Sequence, residues 1–280
     1  MSIQRTISKS LTFSGIGLHS GELVTIELRP QEINQGISFV FKNKSINALW
    51  KNTEVSQLCT KLKSENIYIS TIEHLMSSLS GLGISNLIIK TNSQEMPILD
   101  GSAKEFYEKL IQNKIIDQKQ NQKKLLIKKK VRYSLENKFI EIKPHNKKNL
   151  IIDYSIDYKD QFIKKQKLVY EHNELNYKDI YKARTFCLHD DLEKIFALGL
   201  AKGGSLDNAI VVSGKKILNQ GGLRYHDEFV RHKILDCIGD IYLAGYPIIG
   251  KLTCFGGGHE LNLMLLREIF KSKENYEIIN

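Results

Sequence analysis

Hydrophobic and polar residues alternate along residues 3–30. Leu11, Phe13 and Ile16 lead into a turn marked by Gly15 and Gly17, and Leu23, Val24, Ile26 and Leu28 follow it. That period of two predicts a β-hairpin. Short strand-like runs continue over 36–60, such as Ile37 to Phe41. The period then changes. Residues 71–80 read as a helix closed by Gly81 and Gly83, followed by a strand over 86–90, a turn over 96–102 and a second helix over about 103–112. Residues 117–130 are polar and lysine-rich and predict a linker between domains. Beyond it the order repeats: strands over 125–133, 138–143, 149–158 and 166–171, then helical segments, then a strand over 248–255. The clearest late helix is 228–243, where Val230, Ile234, Leu235, Ile238, Ile241 and Tyr242 recur at helical spacing. The expectation is an α+β protein of two similar domains, 1–122 and 123–280, each a sheet packed on helices. A stretch at about 187–212 holds more apolar residues than a surface loop needs, which fits either ordinary core packing or a wall for a long apolar ligand.

Composition narrows this little. The 280 residues are 41% hydrophobic and 26% charged, as in ordinary soluble proteins. No run approaches the ~20 apolar residues of a membrane span, and the first residues lack the apolar core of a signal peptide, so a cytoplasmic location is expected. Cys59, Cys187, Cys237 and Cys254 form no CxxC pair, so any metal must rely on histidine and carboxylate. The net charge of +10 admits a nucleic-acid surface, an anionic membrane or a phosphate-bearing substrate.

The candidate chemistry changes the picture more. His232, Asp236 and Asp240 sit four apart on one helical face, each step rising about 6 Å. An imidazole and a carboxylate at i and i+4 can hold one metal ion, although the helix alone leaves open a plain ion pair on a solvated face. Glu73-His74 opens the first helix. Ser70 to Glu73 also fits a capping box, in which Glu73 only caps. His74 in a first turn is disfavoured when charged, which suits a neutral, ligating imidazole. Phe255-Gly256-Gly257-Gly258-His259 ends a strand with backbone freedom beside a histidine. Ala183-Arg184-Thr185-Phe186 offers a possible oxyanion donor.

Taken in order, these stretches resemble the UDP-3-O-acyl-N-acetylglucosamine deacetylases, zinc hydrolases of lipid A biosynthesis in Gram-negative bacteria. The similarity runs through Ser14 to Gly21, Ser70 to Leu75, Pro97 to Ala103, Ala183 to Phe186, Gly203 to Ala209, the helix at 228–243 and Gly257 to Asn262. The resemblance implies an active site between the two domains and a small insertion in each. It implies His74, His232 and Asp236 as zinc ligands, with ferrous iron able to fill the same site. It implies Glu73 as general base, His259 as general acid, Asp240 as its orienting carboxylate, and Thr185 and Lys233 near the reacting centre. For the substrate, an acylated UDP-sugar, it implies Phe186, Leu192, Ala201, Gly204, Ser205, Lys138, Tyr158 and His19. A cytoplasmic monomer is expected, with peripheral contact to the inner membrane allowed and no nucleic-acid partner. Two positions depart from the family: Gly256 replaces a usual basic residue that meets the diphosphate, and His226 replaces a usual acid, expected at the surface. The rival reading is a non-enzymatic basic protein binding nucleic acid or membrane, which gives no reason for the histidines and carboxylates above. A zinc peptidase lacks its HExxH.

Overall fold

The computed structural model describes residues 2–65, 67–160 and 162–280. The predicted hairpin is present: Leu11–Ile16 pairs antiparallel with Leu23–Pro30, Phe13 facing Ile26. These two strands open a five-stranded sheet that continues through Leu87–Thr91, Ile37–Phe41 and Lys44–Asn47. Val24, Ile26 and Leu28 are buried, as the alternation requires. Helices α1 (Glu73–Gly81) and α2 (Lys104–Asn113) join this core with Leu75, Met76, Leu79, Phe106 and Leu110.

The second half builds a seven-stranded sheet around Ile248–Phe255. That strand pairs antiparallel with Lys138–Lys143 and parallel with Leu150–Asp157, which carries Lys165–His172 on its far edge. The run expected as one strand over 125–133 is two, Lys124–Ile127 and Val131–Leu135, interrupted by Lys128 to Lys130. A short helix α3 (Leu192–Ala197) lies in the apolar insertion, and helices α4 (Glu228–Ile241) and α5 (His259–Phe270) contribute to the core. Each half carries its own small three-stranded sheet: one over 53–70, the other formed by Phe186–Leu188, Ile210–Ser213 and Lys216–Ile217. The protein is thus of the expected α+β class.

The polar stretch predicted as a linker is instead largely strand. Ile115–Asn121 pairs antiparallel with Ile3–Ile7 in a two-stranded sheet. Backbone pairing holds it without much apolar burial, and its polar side chains find local partners. Gln118 accepts from Asn86 at 2.8 Å and donates to the Gln31 carbonyl at 2.9 Å; Asp117 pairs with Arg5 at 2.8 Å. The halves meet where α1 packs on α4. A Cβ at Gly239 would stand 2.1 Å from the Glu73 carbonyl oxygen, so glycine permits the close approach of the two helices.

Candidate metal-dependent active site

The α1–α4 contact brings Glu73 and His74 onto the face of α4 that carries His232, Asp236 and Asp240. All five side chains are buried. Candidate ligand atoms of His74, His232 and Asp236 lie within 4.8 Å of one another. Asp236 Oδ1 stands 3.6 Å from His74 Nε2 and 3.3 Å from His232 Nε2. His232 Nδ1 lies 3.0 Å from the Ala183 carbonyl, an acceptor only, so Nδ1 carries the proton and the Nε2 lone pair faces the cluster. Burial pushes His232 down to about 3 against the pull of Asp236, so its ring is neutral. Burial opposes charge on Asp236, but positive charge beside it, above all the Lys233 ammonium, outweighs burial and holds this carboxyl well below the usual range. Lys233 Nζ donates to Asp236 Oδ2 at 3.0 Å, while buried Oδ1 has no hydrogen-bond partner. An unpartnered buried carboxylate oxygen facing two imidazole nitrogens fits a divalent cation with nitrogen and oxygen ligands.

Beside this cluster stand two groups that can move protons. His259 Nε2 is 3.9 Å from Glu73 Oε1. The His259 Nδ1 side lies 2.9 Å from Asp240 Oδ2, which also accepts from Asn262 at 2.8 Å. Burial disfavours a charged His259, but Asp240 and Glu73 outweigh it and lift the ring to about 9. Burial raises Glu73 above the ordinary carboxyl value, partly offset by His259 and His74. The capping-box alternative is not the one realised. The residue before α1 is Ile72, with no side-chain cap, and Glu73 Oε2 instead accepts from the Thr60 amide at 3.0 Å. The glycines before His259 serve close packing: a Cβ at Gly257 would meet Cys254 Sγ at 2.3 Å and the Tyr154 hydroxyl at 2.7 Å.

A cavity of about 980 Å³ opens from these groups. Its polar end holds Glu73, His74, Thr185, Lys233, Asp236 and His259, and Leu192, Ile195, Phe196, Leu198, Ala201 and Leu206 line its apolar part. Phe186, Gly204, Ser205, His19 and Lys138 line it too. Phe196, Leu198 and Leu206 stay 54%, 61% and 47% exposed, so the insertion is not simply filling the core. Tyr158 is placed differently: its ring meets Phe186 at 5.6 Å and it is not among the described lining residues, so it backs the wall. At Gly256 a Cβ would lie 3.1 Å from Lys138 Cγ, so the Lys138 stem crosses the place where the usual basic side chain would begin. The His226 side chain is 91% exposed, a surface position as expected.

Sequence reasoning gave no role to three groups that hold the site. Asn262 was discoverable, since it lies one helical turn from His259. Arg184 was read only as part of a motif; it binds buried Glu228 at 2.9 Å and fastens the segment carrying Ala183 and Thr185 to the start of α4. Thr60 sits in no motif at all.

A buried cluster of two histidines and one carboxylate able to hold a cation, with Glu73 and His259 at its side, fits a metal-dependent hydrolase. Comparison with known proteins specifies which kind. The profile of the UDP-3-O-acyl N-acetylglycosamine deacetylases matches residues 4–271, and the chain belongs to that family. It is 42% identical over 279 residues to the UDP-3-O-acyl-N-acetylglucosamine deacetylase of a Nitratiruptor species, covering 99% of this chain and 93% of the relative. Enzymes of the same description from Haemophilus influenzae and Campylobacter jejuni are 42% and 41% identical, each over 99% of this chain and over 92% and 95% of their own lengths.

Proposed function

We propose that this deacetylase removes the N-acetyl group of a UDP-3-O-(3-hydroxyacyl)-N-acetylglucosamine, giving acetate and the free amine, the committed step of lipid A biosynthesis. The observation that carries the mechanism is the Glu73–His259 pair, 3.9 Å apart, beside the cluster of His74, His232 and Asp236. Those three residues would hold the ion, taken to be zinc, with ferrous iron the competing occupant. When bound, such an ion supplies Lewis acidity that polarises an amide carbonyl and acidifies water.

The remaining steps belong to the chain's own groups. Glu73 takes a proton as water attacks the acetyl carbon. Thr185, on the wall beside it, donates to the developing oxyanion, and Lys233 adds positive charge nearby. His259, kept charged by Asp240, passes a proton from Nε2 to the departing nitrogen as the C–N bond breaks. The apolar part of the cavity takes the acyl chain. Lys138 and His19 bind the polar head of the substrate.

We place the domain boundary at 1–122 and 123–280, and expect a cytoplasmic monomer that touches the inner membrane only peripherally and binds no nucleic acid. Among the described residues no helix is long and apolar enough to cross a membrane. The test is acetate release from the acylated UDP-sugar by purified protein, before metal removal, after it, and after restoring zinc or ferrous iron. Activity that survives complete removal refutes the mechanism. Metal-free protein that shifts nucleic acid at moderate salt supports the rival.

A further inference from the structure

Thr60 lies outside every stretch that carries the family resemblance, yet it touches both members of the acid–base pair. It is fully buried, at 0% exposure, and is not among the described cavity-lining residues. Its backbone amide donates to Glu73 Oε2 at 3.0 Å. Its hydroxyl donates to Asp240 Oδ1, and the same oxygen lies 3.1 Å from His259 Nδ1.

The direction of these bonds follows from the groups. An ionised carboxylate can only accept, so the Thr60 hydroxyl hydrogen points at Asp240, and the oxygen turns a lone pair toward His259. Nδ1 therefore faces two acceptors, Thr60 Oγ1 and Asp240 Oδ2, and must be the protonated nitrogen of the neutral ring. Nε2 is left facing Glu73 and the cavity. On the other side, the Thr60 amide occupies Glu73 Oε2 and leaves Oε1, the oxygen nearer His259, free. With Asn262 on Oδ2, each Asp240 oxygen has a donor.

We propose that Thr60 is a positioning residue for the deacetylation: it fixes the orientation and separation of Glu73 and His259, holding the first through its amide and the second through its hydroxyl and Asp240. The inference rests on the mechanism above and adds to it a residue that contacts no substrate.

The two functions of Thr60 can be separated, because Thr60→Val keeps shape and amide and removes only the hydroxyl. A hydrogen bond to a charged group is worth enough to expect kcat to fall roughly 10- to 100-fold. KM and bound metal should stay at wild-type levels, and Thr60→Ser should recover kcat to within about threefold. A residue that merely fills space would instead lower thermal stability with kcat intact. Thr60→Ala is measured alongside; it lacks the hydroxyl without the bulk of valine, and decides the matter if the valine variant does not fold. Wild-type kcat in either hydroxyl-free variant overturns the proposal, as does an equal loss in Thr60→Ser. Wild-type turnover of the acylated UDP-sugar is the control. Its absence overturns the parent mechanism and this proposal together, whereas normal wild-type turnover with unaffected variants overturns this proposal alone.

Discussion

Gly239→Ala tests the construction of the metal site from a position that touches no ligand. The added methyl would sit 2.1 Å from the Glu73 carbonyl oxygen and 3.1 Å from its Cα, against about 3.4 Å for an ordinary contact. The obstacle is helical backbone, which cannot rotate away as a side chain tip could. Helices α1 and α4 must therefore part or slide by about 1.3 Å to restore contact with the carbonyl. His74 rides on α1 and His232 and Asp236 on α4, so the displacement opens the ligand set itself. Metal–ligand distances tolerate only about 0.2 Å, so a shift several times larger forfeits at least one ligand. Overpacking of this kind costs roughly 1–3 kcal/mol of stability. The expected result is a folded protein with a lower Tm, metal affinity weakened by at least about 10- to 100-fold, and activity falling in parallel. Chelator competition measures the affinity, and acetate release the activity. Wild-type metal affinity in a folded Gly239→Ala protein would refute the claim that this contact sets the ligand geometry.

Glu73→Gln should keep metal and Tm while kcat drops roughly 10²- to 10⁴-fold, since an amide cannot act as base; a Glu73 that only capped α1 would leave turnover near normal. Shortening the substrate acyl chain by four carbons should remove about 3 kcal/mol of burial, near two orders of magnitude in kcat/KM; equal efficiency on long and short chains would end the passage assignment. Burial pushes His172 down to about 4 from an ordinary value near 6.5, so between those values the unfolded chain binds a proton that the folded one does not. Stability present above pH 6.5 should thus be lost as pH falls toward 4. Denaturant unfolding at pH 7 and 5 should show a smaller difference for His172→Gln than for wild type.

The helix bearing His232, Asp236 and Asp240 can be read from sequence because both of its patterns are local: apolar residues at helical spacing, and polar residues at i, i+4 on one face. The hairpin around Phe13 and Ile26 is legible for the same reason. What escapes is non-local. The strand Ile115–Asn121 owes its existence to Ile3–Ile7, more than a hundred residues away, and its glutamines and lysine carry no strand signal of their own. Glu73 satisfies a capping pattern that the fold ignores, because the Thr60 amide offers this carboxylate a buried partner instead. Thr60 itself sits between unremarkable neighbours; only the folded chain brings it to Asp240, 180 positions later. The Gly256 departure shows a further limit, since its meaning depends on where the Lys138 stem runs.

The pairing of Ile3 with Asn121 has a consequence for the order of events during synthesis. The first half is closed by its own two ends, so the strand pairings described for it lie within residues 3–121 and are all available once residue 121 has left the ribosome. At that moment it holds only one of the three proposed ligands, His74. His232 and Asp236 come about 110 residues later, on the order of ten seconds at ordinary translation rates. Ion capture therefore waits for the docking of α4 on α1. A translating ribosome that stalls in between displays a finished-looking fold with the α4-facing side of α1 uncovered, a target for chaperones rather than an enzyme awaiting its metal.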